Sequence, residues 1–463
     1  MNQQHTIRLS SWARLVGLAL LLGVGVLASL GLASRTAHAQ PAATIIVSTC
    51  DDATLRNAIN SAASGDTITF GCSGTITLGS TLGISKNLTL DGSGKQVTLS
   101  GGGNVQVLSV NSGVSFTLKA LTIAHGFDGE GGGGLLNTGG TVTISNSTFA
   151  NNSASFQGGS LLNFGGTVSI SNSTFANNSS GFVGGLDNGG GTVSISQSIV
   201  ANNTGGNCFG GVSDQGYNLE SSTDCGFTGT GSLQNTDPKL DPDGLQNNGG
   251  PTQTIALLDG SPAINKIPAS ACTITTDQRG ISRPQGPACD MGAFEFRVPT
   301  LNLPTSPITV NATGPNGAPV TYTATASEPD DASATPTVSC TPASGSTFAI
   351  GTTTVNCTAS DAASPPDTTT GSFQVVVNGA AIQVSNLITT VNSFGLPADI
   401  QAGFDTQLQA VQTDLTNNNP AQACSDLTAF INHIQAQSGK HLTVSQANQL
   451  LAAAKQVQAV LGC

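Results

Sequence analysis

Few side chains in this sequence could do chemistry, and their scarcity is informative. Between Val114 and Gly205 the only charged residues are Lys119, Asp128, Glu130 and Asp187, with His125 close by. Cleaving a polysaccharide needs paired carboxylates, or an acidic calcium cluster with a lysine or arginine base, projecting from successive elements. Asp128, Glu130 and Asp187 are therefore the candidates for catalysis, although a solvated glycine-rich turn explains the first two without it. Asp237, Asp241 and Asp243, in NTDPKLDPDG, are the calcium candidates, because they set oxygen ligands at alternate positions beside a glycine. Asp-Pro turns account for that segment without a metal. In DQRGISRP, Asp277 can pair with Arg279 or Arg283, which reads as a structural ion pair tying down a segment.

The elements that carry these residues are repetitive. GGTVTISNSTFANNSA from Gly139 returns as GGTVSISNSTFANNSS from Gly165 and as GTVSISQSIVANNTGG from Gly191, so Thr141 recurs at Thr167 and Thr192 in steps of 26 and 25 residues. That is one coil of a solenoid of stacked short strands. Val142 and Ile144, like Val168 and Ile170 or Val193 and Ile195, alternate with Thr and Ser, which sends the apolar set inward and the hydroxyls outward. Phe149, Phe175 and Val200 are expected to form one inner ladder, and Asn152, Asn178 and Asn203 another at a turn. Glycine pairs at 133/134, 158/159 and 184/185 are expected at bends that need positive φ. Divergent coils upstream place the start of the solenoid near Thr67. Leu55, Ala58, Ile59 and Ala62 share one helical face, so TLRNAINSAA is expected to cap its first end.

Composition agrees with this and removes some functions. Only 9% of the 463 residues are charged and 4% are aromatic, against 58 glycines, which favours short strands and tight turns over large helical cores. The formal charge is −12, and removing the three arginines of residues 1–39 takes it to −15, so nucleic acid is excluded as a partner. Arg8 and Arg14 precede an apolar run from Leu15 to Ala33 that ends near Ala37-His38-Ala39. This reads as a cleaved signal peptide, with an uncleaved membrane anchor as the alternative; cleavage leaves no transmembrane segment in the mature chain. Ten cysteines beyond the signal fit an oxidising compartment. Sequence does not fix their connectivity, but sequential pairing keeps each bridge inside one module: Cys50 with Cys72, Cys208 with Cys225, Cys272 with Cys289, Cys340 with Cys357, and Cys424 with Cys463. No CxxC spacing supports zinc.

Several motifs resemble known families. GGxLLN (Gly158 to Asn163) followed by FANN (Phe175 to Asn178) resembles the repeats of polymorphic outer-membrane proteins, which implies a right-handed parallel β-helix. CDDATLRNAI from Cys50 is similar to the entry segment of bacterial surface proteins. NNGGPTQTIALLDGSPAIN (Asn247 to Asn265), DQRGISRP and CDMGAFEF (Cys289 to Phe296) resemble the closing region of the choice-of-anchor Q family, with Asn265 where that family has Asp. SCTPASGSTFAIGTTTVNCTASD (Ser339 to Asp361) resembles the hyalin repeat (HYR) module, an immunoglobulin-like extracellular domain of adhesion type. After Ile382 the apolar period changes to 3.6, and AFINHIQAQSGKHLTVSQANQLLAAA resembles the FIMAH domain of secreted bacterial proteins.

The expected architecture is mainly β: signal peptide 1–39, β-helix with cap and closing segment 40–296, hyalin-repeat immunoglobulin-like sandwich 297–379, and FIMAH-like helical bundle 380–463. The expected function is a secreted or cell-surface bacterial protein without catalysis, serving adhesion, matrix or glycan binding. Its expected partners are extracellular glycans or cell-surface proteins. A secreted polysaccharide lyase or glycoside hydrolase on the same scaffold is the alternative. No cofactor is expected, calcium being the one candidate.

Overall fold

The computed structural model describes residues 42–250, 252–331, 333–363 and 366–463; the expected signal peptide, 1–39, lies outside them. Parallel strands stack into a solenoid of about six turns over residues 44–209. It begins at Thr44–Val47, one coil earlier than Thr67, because Thr44 to Val47 pair in parallel with Thr67 to Phe70. The repeat spacing is its register: Thr141 faces Thr167, which faces Thr192. Phe149 and Phe175 lie opposite each other, fully buried, with rings stacked at 4.7 Å between centroids.

Asparagines set the corners. Asn152 donates from Nδ2 to Asn178 Oδ1 and Asn178 from Nδ2 to Asn203 Oδ1, both at 3.0 Å. A second ladder joins Asn137, Asn163 and Asn188 at 2.9 Å per step. Positive φ at the corners is taken by Asn146, Asn151, Asn172, Asn177, Gln197 and Asn202, and by the recurring glycines Gly139, Gly165 and Gly191. Of the six paired glycines, only Gly158 has positive φ. The others are needed for close approach, since a Cβ on Gly159 would meet Ser179 O at 2.3 Å and one on Gly185 would meet Asn207 O at 2.0 Å.

Both ends of the stack are closed. Helix α1 (Asp52–Ser61) is started by Asp51, whose carboxylate accepts from Thr54 N, and it buries Leu55, Ala58 and Ile59 against the first coil beside Cys50–Cys72. At the other end Phe227 plugs the core behind Cys208–Cys225, while the buried Glu220 carboxylate accepts from the backbone of Cys225 and Phe227. The segment from Leu240 to Phe296, with Cys272–Cys289, packs along the outer surface of the row formed by Thr148–Ala150, Thr174–Ala176 and Ile199–Ala201. Hydroxyls of Thr122, Thr148 and Thr174 point outward, as alternation requires. They are buried all the same, bonding to Gln253 O, to Gln278 and to Ala293 N.

Beyond it Ile308–Asn311, Thr368–Asn378, Gly351–Ser360 and Thr337–Thr341 form a four-stranded sheet containing Cys340–Cys357. Two two-stranded pairs accompany it, Thr300–Asn302 with Thr325–Ser327 and Ala318–Pro319 with Thr347–Phe348. The expected sandwich is thus seen as one sheet and two short ribbons. Helices α2 (Ala380–Ser393), α3 (Ala398–Thr416), α4 (Pro420–Gln437) and α5 (Val444–Leu461) follow, the last begun by a Thr443/Gln446 capping box. Cys424–Cys463 staples α4 to the chain end. The sheet and the helices share one apolar core that runs from Ala312 and Val355 through Val384 and Phe404 to Val460. Gln383 and Gln456 both donate to Ala312 O at 3.1 Å across it.

Candidate functional site: an aromatic cleft beside the coils

Strand Leu135–Asn137 and the first residues of strands Leu161–Ser171 and Leu186–Ser196 carry one row that departs from the polar rule. Register places Leu136, Leu162, Asp187 and Phe209 in that row. Opposite it run the short strands Phe127–Asp128, Ser153–Ala154 and Ser179–Ser180, whose following loops carry Glu130, Phe156, Gln157 and Phe182. Between row and loops lies a cleft of about 420 Å³ lined by Asp128, Glu130, Leu136, Gln157, Leu162 and Phe164. Gln157 also lines the neighbouring depression of about 600 Å³, with Phe156 and Phe182. Phe156 and Phe164 are 67% and 65% exposed, and Phe182 packs edge-on against Phe209 at 4.6 Å. The result is a strip of exposed aromatic rings across successive coils with two carboxylates at one end.

Asp128 and Glu130 are thus brought to one cleft, and Asp187 is set apart from them. Asp128 Oδ1 accepts from Glu130 N and Gly131 N, both at 2.7 Å, which closes the loop and uses that oxygen structurally. Asp187 is 0% exposed, and neither of its oxygens has a hydrogen-bond partner. Burial alone pushes its carboxyl up to about 6. His125 is exposed, with φ 50° in a turn.

The other candidates have structural surroundings. Asp237 and Asp241 accept from the backbone N–H of Lys239 and Asp243, each at 2.9 Å, as two successive Asx turns. Among the described residues no group of three or more His, Cys, Asp or Glu side chains stands ready to hold a metal ion. Asp277 pairs with Arg279 at 2.8 Å, and Arg283 pairs with Glu295 at 3.1 Å. Arg279 also reaches Asp330 at 3.0 Å and lies 3.5 Å over the Phe294 ring. This arginine therefore ties the closing segment to the sheet module.

Sequence reading missed the aromatic strip because it followed charge. A signal was present: Phe156 and Phe182 recur at the 26-residue step inside loops, in a chain with 4% aromatic residues.

No helix among the described residues is long and apolar enough to cross a membrane. No curated protein and no solved structure matches the chain. The sequence profile of one family, described as the HYR domain, matches residues 295–377, the segment that holds the four-stranded sheet. The chain thus joins a β-solenoid and five disulfide bridges to an HYR domain, a module of extracellular, adhesion type.

Proposed function

We propose that this is a secreted or cell-surface adhesion protein that holds a glycan chain in the aromatic cleft without cleaving it. The observation that carries the reading is the strip of Phe156, Phe164 and Phe182 beside Asp128, Glu130 and Gln157. Flat apolar rings stack on the C–H faces of sugars, and a few carboxylate and amide groups accept or donate to hydroxyls; such a mix orients a ligand. The acidic lip and a formal charge of −12 favour neutral over acidic glycans. Absence of catalysis is supported by the use of Asp128 in its own loop and by the isolation of Asp187. An HYR domain in the same chain supports adhesion at the cell exterior.

The test is to incubate the purified protein with neutral and acidic polysaccharides and measure binding and product together. Binding of a neutral glycan without product is expected, and Phe164→Ala should weaken it about tenfold, the worth of one well-stacked ring. Reproducible release of reducing ends or unsaturated sugars would sink the non-catalytic reading. Binding indifferent to Phe164→Ala would move the ligand elsewhere.

A further inference from the structure

The aromatic cleft carries negative charge that no cation of this chain answers. Glu130 is exposed at its lip, and among the described residues no hydrogen bond or ion pair engages its carboxylate. Asp128 spends Oδ1 on its own loop and leaves Oδ2 without a partner among those residues. The one lysine or arginine between Val114 and Gly205 is Lys119, and Asp91 holds it at 3.2 Å. Neither the cleft nor the neighbouring depression is lined by a basic side chain.

Asp187 places a third carboxylate in the same wall. Its register sets it between Leu162, which lines the cleft, and Phe209, whose ring packs on Phe182. It is fully buried, and both of its oxygens lack a hydrogen-bond partner. A carboxyl in that position needs a proton or a cation brought from outside the chain. The rings around it point the same way. Of the nine large apolar side chains exposed among the described residues, Phe156, Phe164, Phe182 and Phe209 all belong to this strip, and apolar surface gathered in this way marks a ligand face. The face of each ring is the negative side of its quadrupole, so the rings attract a cation as the carboxylates do.

Building on the glycan-holding reading above, we propose that the cleft selects a glycan bearing free amino groups: its protonated amines lie between the phenylalanine faces and the carboxylates of Asp128 and Glu130, with Asp187 adding its charge beneath the rings. An amino sugar presents flat C–H faces for stacking and one ammonium on each unit. The strip likewise repeats its ring from coil to coil, Phe156 to Phe182 in one 26-residue step. A lysine-rich peptide offers the cation without the flat face, so the rings favour the sugar. N-acetylation of the same amine removes the charge and keeps the sugar ring, so a pair of ligands that differ only in acetylation isolates the contribution of charge.

The experiment is calorimetric titration of the full chain, at low salt and at a pH of about 6 where an amine of ordinary basicity is charged, with three ligands. These are an oligosaccharide of β-linked glucosamine, its N-acetylated counterpart of equal length, and an oligolysine of equal charge. The amine form is expected to bind about tenfold more tightly than the N-acetylated form, and the ratio should shrink in high salt, which screens the exposed carboxylates. Glu130→Gln should bring the ratio down to about threefold. Asp187→Asn should lower it as well, whereas Asp241→Asn, in the acidic turn outside the cleft, should leave it unchanged. Equal affinity for the two sugars, or a ratio indifferent to both Glu130→Gln and Asp187→Asn, overturns this inference and leaves the glycan reading standing. Tighter binding of the oligolysine than of the amine sugar also overturns it and assigns the cleft to a basic peptide. No affinity for either sugar or for neutral polysaccharides sinks the glycan reading and this inference together.

Discussion

Replacing Asn178 by alanine tests whether the asparagine ladder, and not apolar burial alone, holds the coils in register. The Asn178 side chain is fully buried and makes five hydrogen bonds. Its Oδ1 accepts from the backbone and the Nδ2 of Asn152, each at 3.0 Å, while its Nδ2 donates to Phe149 O at 3.0 Å, Ala176 O at 3.1 Å and Asn203 Oδ1 at 3.0 Å. Truncation strands the Asn152 N–H outright and strips an interaction from the Phe149 carbonyl. Asn152 Nδ2 keeps Ile123 O, and Asn203 Oδ1 keeps the Asn178 N–H. Two buried groups left short at about 1–3 kcal/mol each give a cost of about 2–6 kcal/mol. Urea unfolding of the disulfide-intact chain, followed by far-UV circular dichroism, measures it. Because Asn152 and Asn178 share bonds, the double alanine variant should cost about 1–2 kcal/mol less than the sum of the singles. A loss below about 1 kcal/mol for Asn178→Ala, or strict additivity of the pair, would refute the reasoning.

Two further outcomes follow from buried charge. Arg279→Ala leaves Asp277 buried without its guanidinium and Asp330 with Arg297 alone, and should cost about 3–5 kcal/mol in thermal or denaturant unfolding. Lysine should not rescue it, because Nε, Nη1 and Nη2 all serve as donors to different acceptors. Asp187 has a carboxyl raised from 3.8 to about 6, so the folded state holds its proton longer than the unfolded state does. Its penalty is absent below the unfolded value, grows between 3.8 and about 6, and is complete above that. Asp187→Asn should therefore raise stability by up to about 3 kcal/mol at pH 7.5 and by almost nothing at pH 3.5. An equal effect at both pH values would show that charge at Asp187 is not the cause.

Local pattern made the coils legible because a solenoid writes its long-range contacts into its own period. The neighbour of Thr141 in space is the residue one repeat later, Thr167, so register, the Phe149/Phe175 stack and the Asn152/Asn178/Asn203 ladder could all be read from aligned repeats. The glycine pairs show the limit of that reading. Sequence marks them as bends, whereas only the backbone distances to Ser179 O and Asn207 O reveal that most serve close packing, while positive φ falls mainly to asparagines and to other glycines such as Gly139, Gly165 and Gly191.

What the sequence determined by itself was the repeat, the inward and outward sets, the helix cap of α1 and the amphipathic helices at the end. Each of these depends on residues a fixed number of positions apart. Tertiary structure alone decided which outward residues stay outward. The closing segment buries Thr122, Thr148 and Thr174 against Gln253, Gln278 and Ala293, and a shared core merges the sheet with the helices that follow it. It also brought Phe164 to Asp128 and Glu130, and Asp259 to the backbone of Ala362. Asp259 and Ala362 lie on segments whose approach is governed by packing across non-repeating chain, for which no period exists to be read, whereas Phe164 and Asp128 lie within the coils and meet through the fold of each coil and not through its period.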